Sequence, residues 1–314
     1  MDQKFIDSLC RRSGVPELFS VLTDRLSASK LNSLLLAVYH TQTQRTSPAR
    51  LLAAYRQNRF TGASAVDAVS FRQLELQCLK RAAAAGFKPL ELSPVSPLGT
   101  CSVMGTVHQH KVLSAGRGTE VTADATNVLA LESSHERQRL HFPAQPLKFS
   151  CAHRHLRTQQ IDIPGFTPHF GIFCLTSAGR DTGDFSFEKE QLITHVALYL
   201  ELLHSLLPNT RCSIVLKTLN QAPTDQKLAD VLKTELGIYF PETPLESVQL
   251  QQGAQEYYRA VQFGIVLHSG DQAYPIIDGG FTNWTQQLSN NRKERFLGSG
   301  LGLEFLWKIL NGLV

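Results

Sequence analysis

Two glycine-punctuated segments constrain this chain more than any other stretch: Ile276-Ile-Asp-Gly-Gly-Phe-Thr-Asn-Trp284 and Gly298-Ser-Gly-Leu-Gly-Leu-Glu-Phe-Leu-Trp307. The first reads as a strand running into paired glycines. The second reads as a short strand leading into an apolar helix, with Gly298, Gly300 and Gly302 at period-two spacing. Such spacing puts the glycines on one face of a strand. A strand without side chains lets the backbone come close to a ligand or to another strand.

Upstream, helices and strands follow one another with legible boundaries. Apolar residues recur at helical spacing from Val15 to Leu26 and from Leu31 to Tyr39, and Ser47-Pro48 is a helix start. The polar stretch Gln57 to Ala65, with Gly62, reads as a linker, so residues 1–65 are expected to form a helical N-terminal region and 66–314 the main domain. A long helix is expected from Asp67 to Ala85 with Gly86 as its stop, then a strand from Phe87 to Pro94. Further helices are expected over Asn127–Glu136, Phe185–Leu207 and Gln226–Leu236. Strands are expected over Cys212–Lys217 and in the alternating run Val261, Phe263, Ile265, Leu267.

The composition narrows the class. At 314 residues with 42% hydrophobic and 18% charged residues, the chain has ample material for a core. No apolar run is long enough to span a bilayer, and the start, Met1-Asp-Gln-Lys-Phe, lacks the pattern of a secretion signal. A net charge of +4 allows an acidic partner without demanding one. Six cysteines without a CxxC pair read as free thiols in a reducing, cytoplasmic compartment. A zinc site built from Cys101, Cys151 and a histidine is the alternative, but spacing alone does not support it, and no metal is expected.

Taken in order, these segments resemble the catalytic core of class II aminoacyl-tRNA synthetases of the histidyl type. The helix–glycine–strand unit ending at Pro94 is similar to motif 1, which in that family forms the dimer interface, so the resemblance implies a homodimer. Gly118-Thr-Glu-Val-Thr-Ala-Asp-Ala-Thr126 resembles the amino-acid-binding segment LRPEGT, with Asp124 at the glutamate, Thr126 at the threonine and Thr122 at the arginine. A carboxylate there can pair with a substrate ammonium; equally, Asp124 and Thr126 can cap the helix that follows. Both readings stay open. Phe149 to Leu175 resembles motif 2, which implies that Arg154 grips the α-phosphate and Phe170 is the matching aromatic, while Leu156 replaces a glutamate. A solvated basic strand end is the plain alternative for His153 to Arg157. Glu256-Tyr257-Tyr258 through Phe263 resembles LDYYTGxVFE, Gly279-Gly280 resembles GGRYD, and the run to Glu304 resembles GxGLER of motif 3.

The resemblance implies a scaffold retained and a chemistry thinned out. Adenylate formation needs cations aimed at developing phosphate charge, yet three arginine positions of the family fall at Gly253, Phe281 and Phe305. The insertion between motifs 2 and 3 is reduced, and no anticodon-binding domain follows motif 3, so tRNA is not an expected partner. The reading is therefore α+β: a mostly antiparallel class II synthetase-like sheet flanked by helices. Its function is expected to be that of a pseudo-synthetase binding a small molecule, such as an amino acid, or a partner protein, as in the regulatory subunit of ATP phosphoribosyltransferase. The ligand-binding set is Asp124, Thr126, Arg154, Phe170, Glu256, Tyr257, Tyr258, Gly279, Gly280 and Glu304. The alternative is an active ligase using ATP and Mg to adenylate a carboxylic acid, with Arg154 catalytic and a substitute cation from Arg117, Arg157, Arg292 or Arg295. An unrelated α/β fold is the third possibility.

Overall fold

The computed structural model describes residues 2–105, 107–159, 167–219, 222–251 and 257–314. Helices open the chain: α1 (Gln3–Arg12), the short turn α2 (Leu18–Ser20), α3 (Ala28–Thr43) and α4 (Pro48–Gln57). Ser47 caps α4 with Pro48 at its first position, as its sequence implies. The single helix expected from Val15 to Leu26 is broken into α2 and a wider turn, Val21–Arg25. No residue of that stretch is buried, so packing does not enforce a single helix.

The long helix α5 (Ala68–Ala84) starts where Asp67 accepts a hydrogen bond from the Ser70 amide at 2.9 Å, and Gly86 follows it with φ of +82°. The expected strand from Phe87 to Pro94 is cut short. Only β1 (Lys88–Pro89) joins the main sheet, and β2 (Val95–Pro97) pairs instead with β4 (Thr119–Val121) beside β3 (Ser114–Ala115). The Leu90 amide still donates to the Ser150 carbonyl at 2.8 Å, and beyond it the chain leaves the main sheet for the small one.

The rest is one large sheet and its helices: α6 (Ala125–Arg139), β5 (Leu147–Leu156), β6 (His169–Arg180), α7 (Ser186–Leu206), β7 (Arg211–Thr218), α8 (Pro223–Tyr239), β8 (Leu245–Gln249), β9 (Val261–Ser269), β10 (Gln272–Thr282), α9 (Trp284–Ser289), β11 (Glu294–Leu301) and α10 (Leu303–Leu310). The strand order is β1-β5-β6-β11-β10-β9-β7-β8. The six inner strands pair antiparallel throughout, and the two edge strands β1 and β8 pair parallel.

Alternation along the strands divides the sheet into two faces. The back face, with Phe173, Leu175, Ile214, Phe263, Ile277 and Leu301, packs against α5, α7, α8 and α10 in the main hydrophobic core. The front face is covered at one end by α6 and α9, through Ala125 and Leu129 over Phe149 and Cys151, and through Trp284 over Phe296. The remainder of the front face forms the floor of a cavity. No helix among the described residues is long and apolar enough to cross a membrane.

Candidate functional site

One row of directly paired residues crosses the front face: Val215, Gly264, Asp278, Gly300, Cys174 and Cys151. Because Gly264 and Gly300 add no side chains, the row is a trough with Asp278 standing between them. Above it lies a cavity of about 590 Å³, walled by His155, Arg157 and Phe170 on one side and by Tyr258, Phe305 and Lys308 on others.

At one end sits Asp124, the residue just before α6. Its Oδ1 accepts hydrogen bonds from the Thr126 amide (2.9 Å) and the Thr126 hydroxyl (2.7 Å), and its Oδ2 accepts one from the Tyr257 hydroxyl at 2.7 Å. The capping carboxylate is thus also one that lines the cavity. The Arg157 guanidinium lies 3.8 Å from Asp124 Oδ2, donates to the Ala123 carbonyl at 3.1 Å, and rests over the Phe170 ring. Burial alone would raise the Asp124 carboxyl, but its surroundings outweigh that and hold it below the usual range. His155 faces the same carboxylate, yet burial pushes its imidazole down to about 3, so the ring is uncharged at neutral pH. Arg157 and the two hydroxyls therefore keep Asp124 ionised. The Ala125 amide donates to His155 Nε2 at 2.9 Å, which places the ring hydrogen on Nδ1. That Nδ1 is buried and has no partner among the described residues.

At the other end, Asp278 accepts from the Gln262 amide at 2.6 Å and the Tyr258 hydroxyl at 2.8 Å. Solvent reaches its side chain through the cavity, but the surrounding sheet is deep enough to raise its carboxyl. Burial is the main cause, opposed by those two hydrogen bonds and by Lys217 and assisted by the negative charge of Asp124.

The cavity brings together Asp124, Thr126, Phe170, Tyr258 and Glu304 from the expected set. Tyr257 stands behind Asp124, edge-on to Trp284 at 5.1 Å. The other members of that set lie elsewhere. Arg154 is not a cavity residue: it alternates onto the back face, where its Nη1 donates to Glu304 Oε2 and to His169 Nδ1, both at 3.0 Å, and its guanidinium lies over Phe71. Gly279 also faces back, under Phe263 and Ser299, and Gly280 lies beneath the Tyr258 ring. Glu304 lines the cavity edge but its carboxylate is engaged by Arg154, Ser64, Lys308 and the Gly171 amide. Glu256 and Gly253 fall outside the described residues.

Phe281 is buried in the back core and Phe305 forms a wall, stacked edge-on to Tyr274. Of the four substitute cations considered, Arg157 alone lines the cavity; Arg295 is paired with Asp181 and Glu188. His155, Lys217, Asp278 and Lys308 were not singled out from the sequence. The parity of the strands was the available signal: Asp278 is two residues from Gly280 and shares its face. All six cysteines are free, and among the described residues no group of three His, Cys, Asp or Glu could hold a metal.

No family model matches the sequence, and no curated protein matches it. Solved structures do. The apo histidyl-tRNA synthetase of S. aureus is 13% identical with a TM-score of 0.60, over 82% of this chain and 70% of that one. A structure from Bacillus halodurans described as an ATP phosphoribosyltransferase regulatory subunit/histidyl-tRNA synthetase is 14% identical with a TM-score of 0.63, over 81% and 83%. The histidine–tRNA ligase subunit of Alicyclobacillus acidocaldarius is 10% identical with a TM-score of 0.57, over 80% and 95%. Eight strands with an antiparallel centre, a glycine trough on their front face and a last helix closing its edge are thus the fold of a histidyl-tRNA synthetase-like class II core.

Proposed function

We propose that this chain is a histidyl-tRNA synthetase paralogue that binds a small amino-acid-class ligand and has lost tRNA charging, acting as a regulatory pseudo-synthetase, as a homodimer. The carrying observation is the pairing of Asp124 with Arg157 at one end of an open cavity. A carboxylate and a guanidinium 3.8 Å apart present complementary charges to the ammonium and carboxylate of a zwitterion. Thr126 and the neutral His155 ring add a hydroxyl and an N–H donor beside them.

The residues fit a nucleotide triphosphate less well. Phe305 stands at a family arginine position, and Arg154 is turned to the back face and bound to Glu304. Removing a single transition-state donor costs roughly a hundred- to a thousand-fold in rate, which is the physical ground for loss of charging. The regulatory reading draws on the Bacillus halodurans structure, whose description includes a regulatory subunit.

One observation favours a second reading, an ATP-dependent ligase. Lys308 lies one turn beyond Phe305 and, with Arg157 and Lys217, lines the cavity. ATP and Mg would be needed for that chemistry, with these three side chains holding phosphate. Calorimetric titration with a panel of amino acids, with and without ATP and Mg, decides between the two. Amino-acid binding that Arg157→Ala abolishes, with no ATP binding, is expected. Micromolar ATP binding with amino-acid-dependent pyrophosphate exchange would overturn the pseudo-synthetase in favour of the ligase. A monomer by light scattering at micromolar concentration would end the homodimer.

A further inference from the structure

Three carboxylates line the cavity, and their partners differ. Asp124 has Arg157 at 3.8 Å, and Glu304 has Arg154 at 3.0 Å and Lys308 at 3.5 Å. Asp278 has no cation within 4.0 Å among the described residues; Lys217 acts on it only from farther off. Two neutral donors, Tyr258 and Gln262, hold its carboxylate in place. Its neighbours across the strands, Gly264 and Gly300, leave the space above it open, and a Cβ at Gly300 would come within 3.3 Å of Ile172. An oriented carboxylate, open above and with no cation within 4.0 Å among the described residues, is placed to receive one, because hydrogen bonds between ionised partners are the strong ones. An independent sign that the cavity takes a ligand is His155 Nδ1–H, buried, on a cavity-lining residue and without an acceptor among the described residues.

We propose that Asp278 sets the specificity of this cavity, and that its ligand is an α-amino acid whose side chain ends in an ammonium or guanidinium group. The inference rests on the amino-acid reading of the Asp124–Arg157 end. There the α-ammonium meets Asp124 and the α-carboxylate meets Arg157 and the His155 N–H. The side chain then runs along the trough over Gly300 to Asp278. A site that hydrogen-bonds a polar group of its ligand rejects an isostere lacking that group far better than it rejects a change of bulk.

The test is calorimetric titration at pH 8 of the full chain with lysine, arginine, norleucine and histidine, repeated on Asp278→Asn and Asp124→Asn. Norleucine has the length of lysine without its charge, and histidine at that pH carries a mostly neutral ring. Lysine or arginine is expected to bind roughly tenfold or more tighter than norleucine or histidine. Asp278→Asn should erase that preference, chiefly by weakening lysine and arginine, whereas Asp124→Asn should weaken all four. If wild-type protein binds norleucine or histidine as tightly as lysine, the role of Asp278 is overturned and the amino-acid reading stands. If none of the four binds, both fall. The wild-type comparison needs no variant, so a poorly folded Asp278→Asn would not leave the question open.

Discussion

Arg137 and Glu294 form an ion pair with both side chains fully buried, joining α6 to β11, with a second hydrogen bond from Arg137 Nη2 at 3.1 Å. Removing one partner of such a pair leaves an uncompensated charge in the interior. Arg137→Met is therefore expected to lower stability by about 3–5 kcal/mol in urea unfolding, and Arg137→Met with Glu294→Leu should recover much of it. A second buried group makes stability depend on pH. His195 is held between the hydroxyls of Ser177 (3.0 Å) and Ser299 (2.8 Å), and burial pushes it down to about 3. Its folded value lies below its unfolded one, so the unfolded chain binds the extra proton. Stability is fully present above the unfolded value near 6.5 and falls as pH drops towards 3. The contribution is about 1.4 kcal/mol per pH unit for one histidine. The raised carboxyls of Asp278 and Glu188 pull the other way in the acid range. The comparison of wild type with His195→Gln between pH 7 and 5 isolates the histidine, and equal slopes would refute the assignment. The chemistry of single residues was the least legible part of the sequence. Arg154 and Arg157 are equally basic on paper, and only the strand's register decides that one binds α10 while the other reaches the cavity.

At the scale of elements, the glycines of β10 and β11 look alike in sequence and do opposite work. A Cβ at Gly279 would lie 2.5 Å from both Phe263 and Ser299 on the back face and 2.9 Å from the Gly298 carbonyl. None of these can yield without parting the strands. Gly279→Ala is expected to cost about 1–3 kcal/mol or more through overpacking, seen as a lower urea midpoint. At Gly300 the nearest atom is the tip of Ile172 at 3.3 Å, on the cavity side. Gly300→Ala is expected to keep a near-native midpoint and weaken ligand titration, because its methyl enters the trough. The reverse pattern would show that the faces are misassigned. Elements themselves were readable from the sequence because local signals agree with packing. Asp67 caps α5, Asp124 caps α6, and the apolar run after Phe185 becomes the buried α7. The strand after Gly86 was overextended because an alternating pattern does not reveal which sheet a strand will join. Here the chain leaves the main sheet after Pro89 for the small one.

For the whole molecule, burial is distributed very unevenly. Among residues 2–65, Cys10 alone is buried, and α4 exposes Leu51, Leu52 and Tyr55 at 65, 50 and 50%. The segment from Lys30 to Arg59 carries five Lys or Arg and no acidic residue. Among the described residues, the side-chain hydrogen bonds that tie residues 2–65 to the rest come at the end of that stretch. The Arg59 guanidinium bonds the Thr158 carbonyl, His169 donates to the Gly62 carbonyl at 2.7 Å, and Ser64 donates to Glu304 at 3.0 Å. A helix of ten residues with no buried face has little to hold it, since isolated helices shorter than about 12–15 residues are marginal in water. Treating residues 1–65 as a separate region is thus a proposal with a measurable consequence. In native-state hydrogen exchange, α4 amides should exchange orders of magnitude faster than those of α7, whose apolar face is in the main core. Deleting residues 1–57 should leave the unfolding midpoint of the remainder nearly unchanged. Deleting 1–65 should lower its stability by about 1–3 kcal/mol, because Glu304 and His169 then lose Ser64 and Gly62. Strong protection of α4 in the intact protein would mean that a second copy of the chain covers it, and light scattering on the same sample would show the assembly.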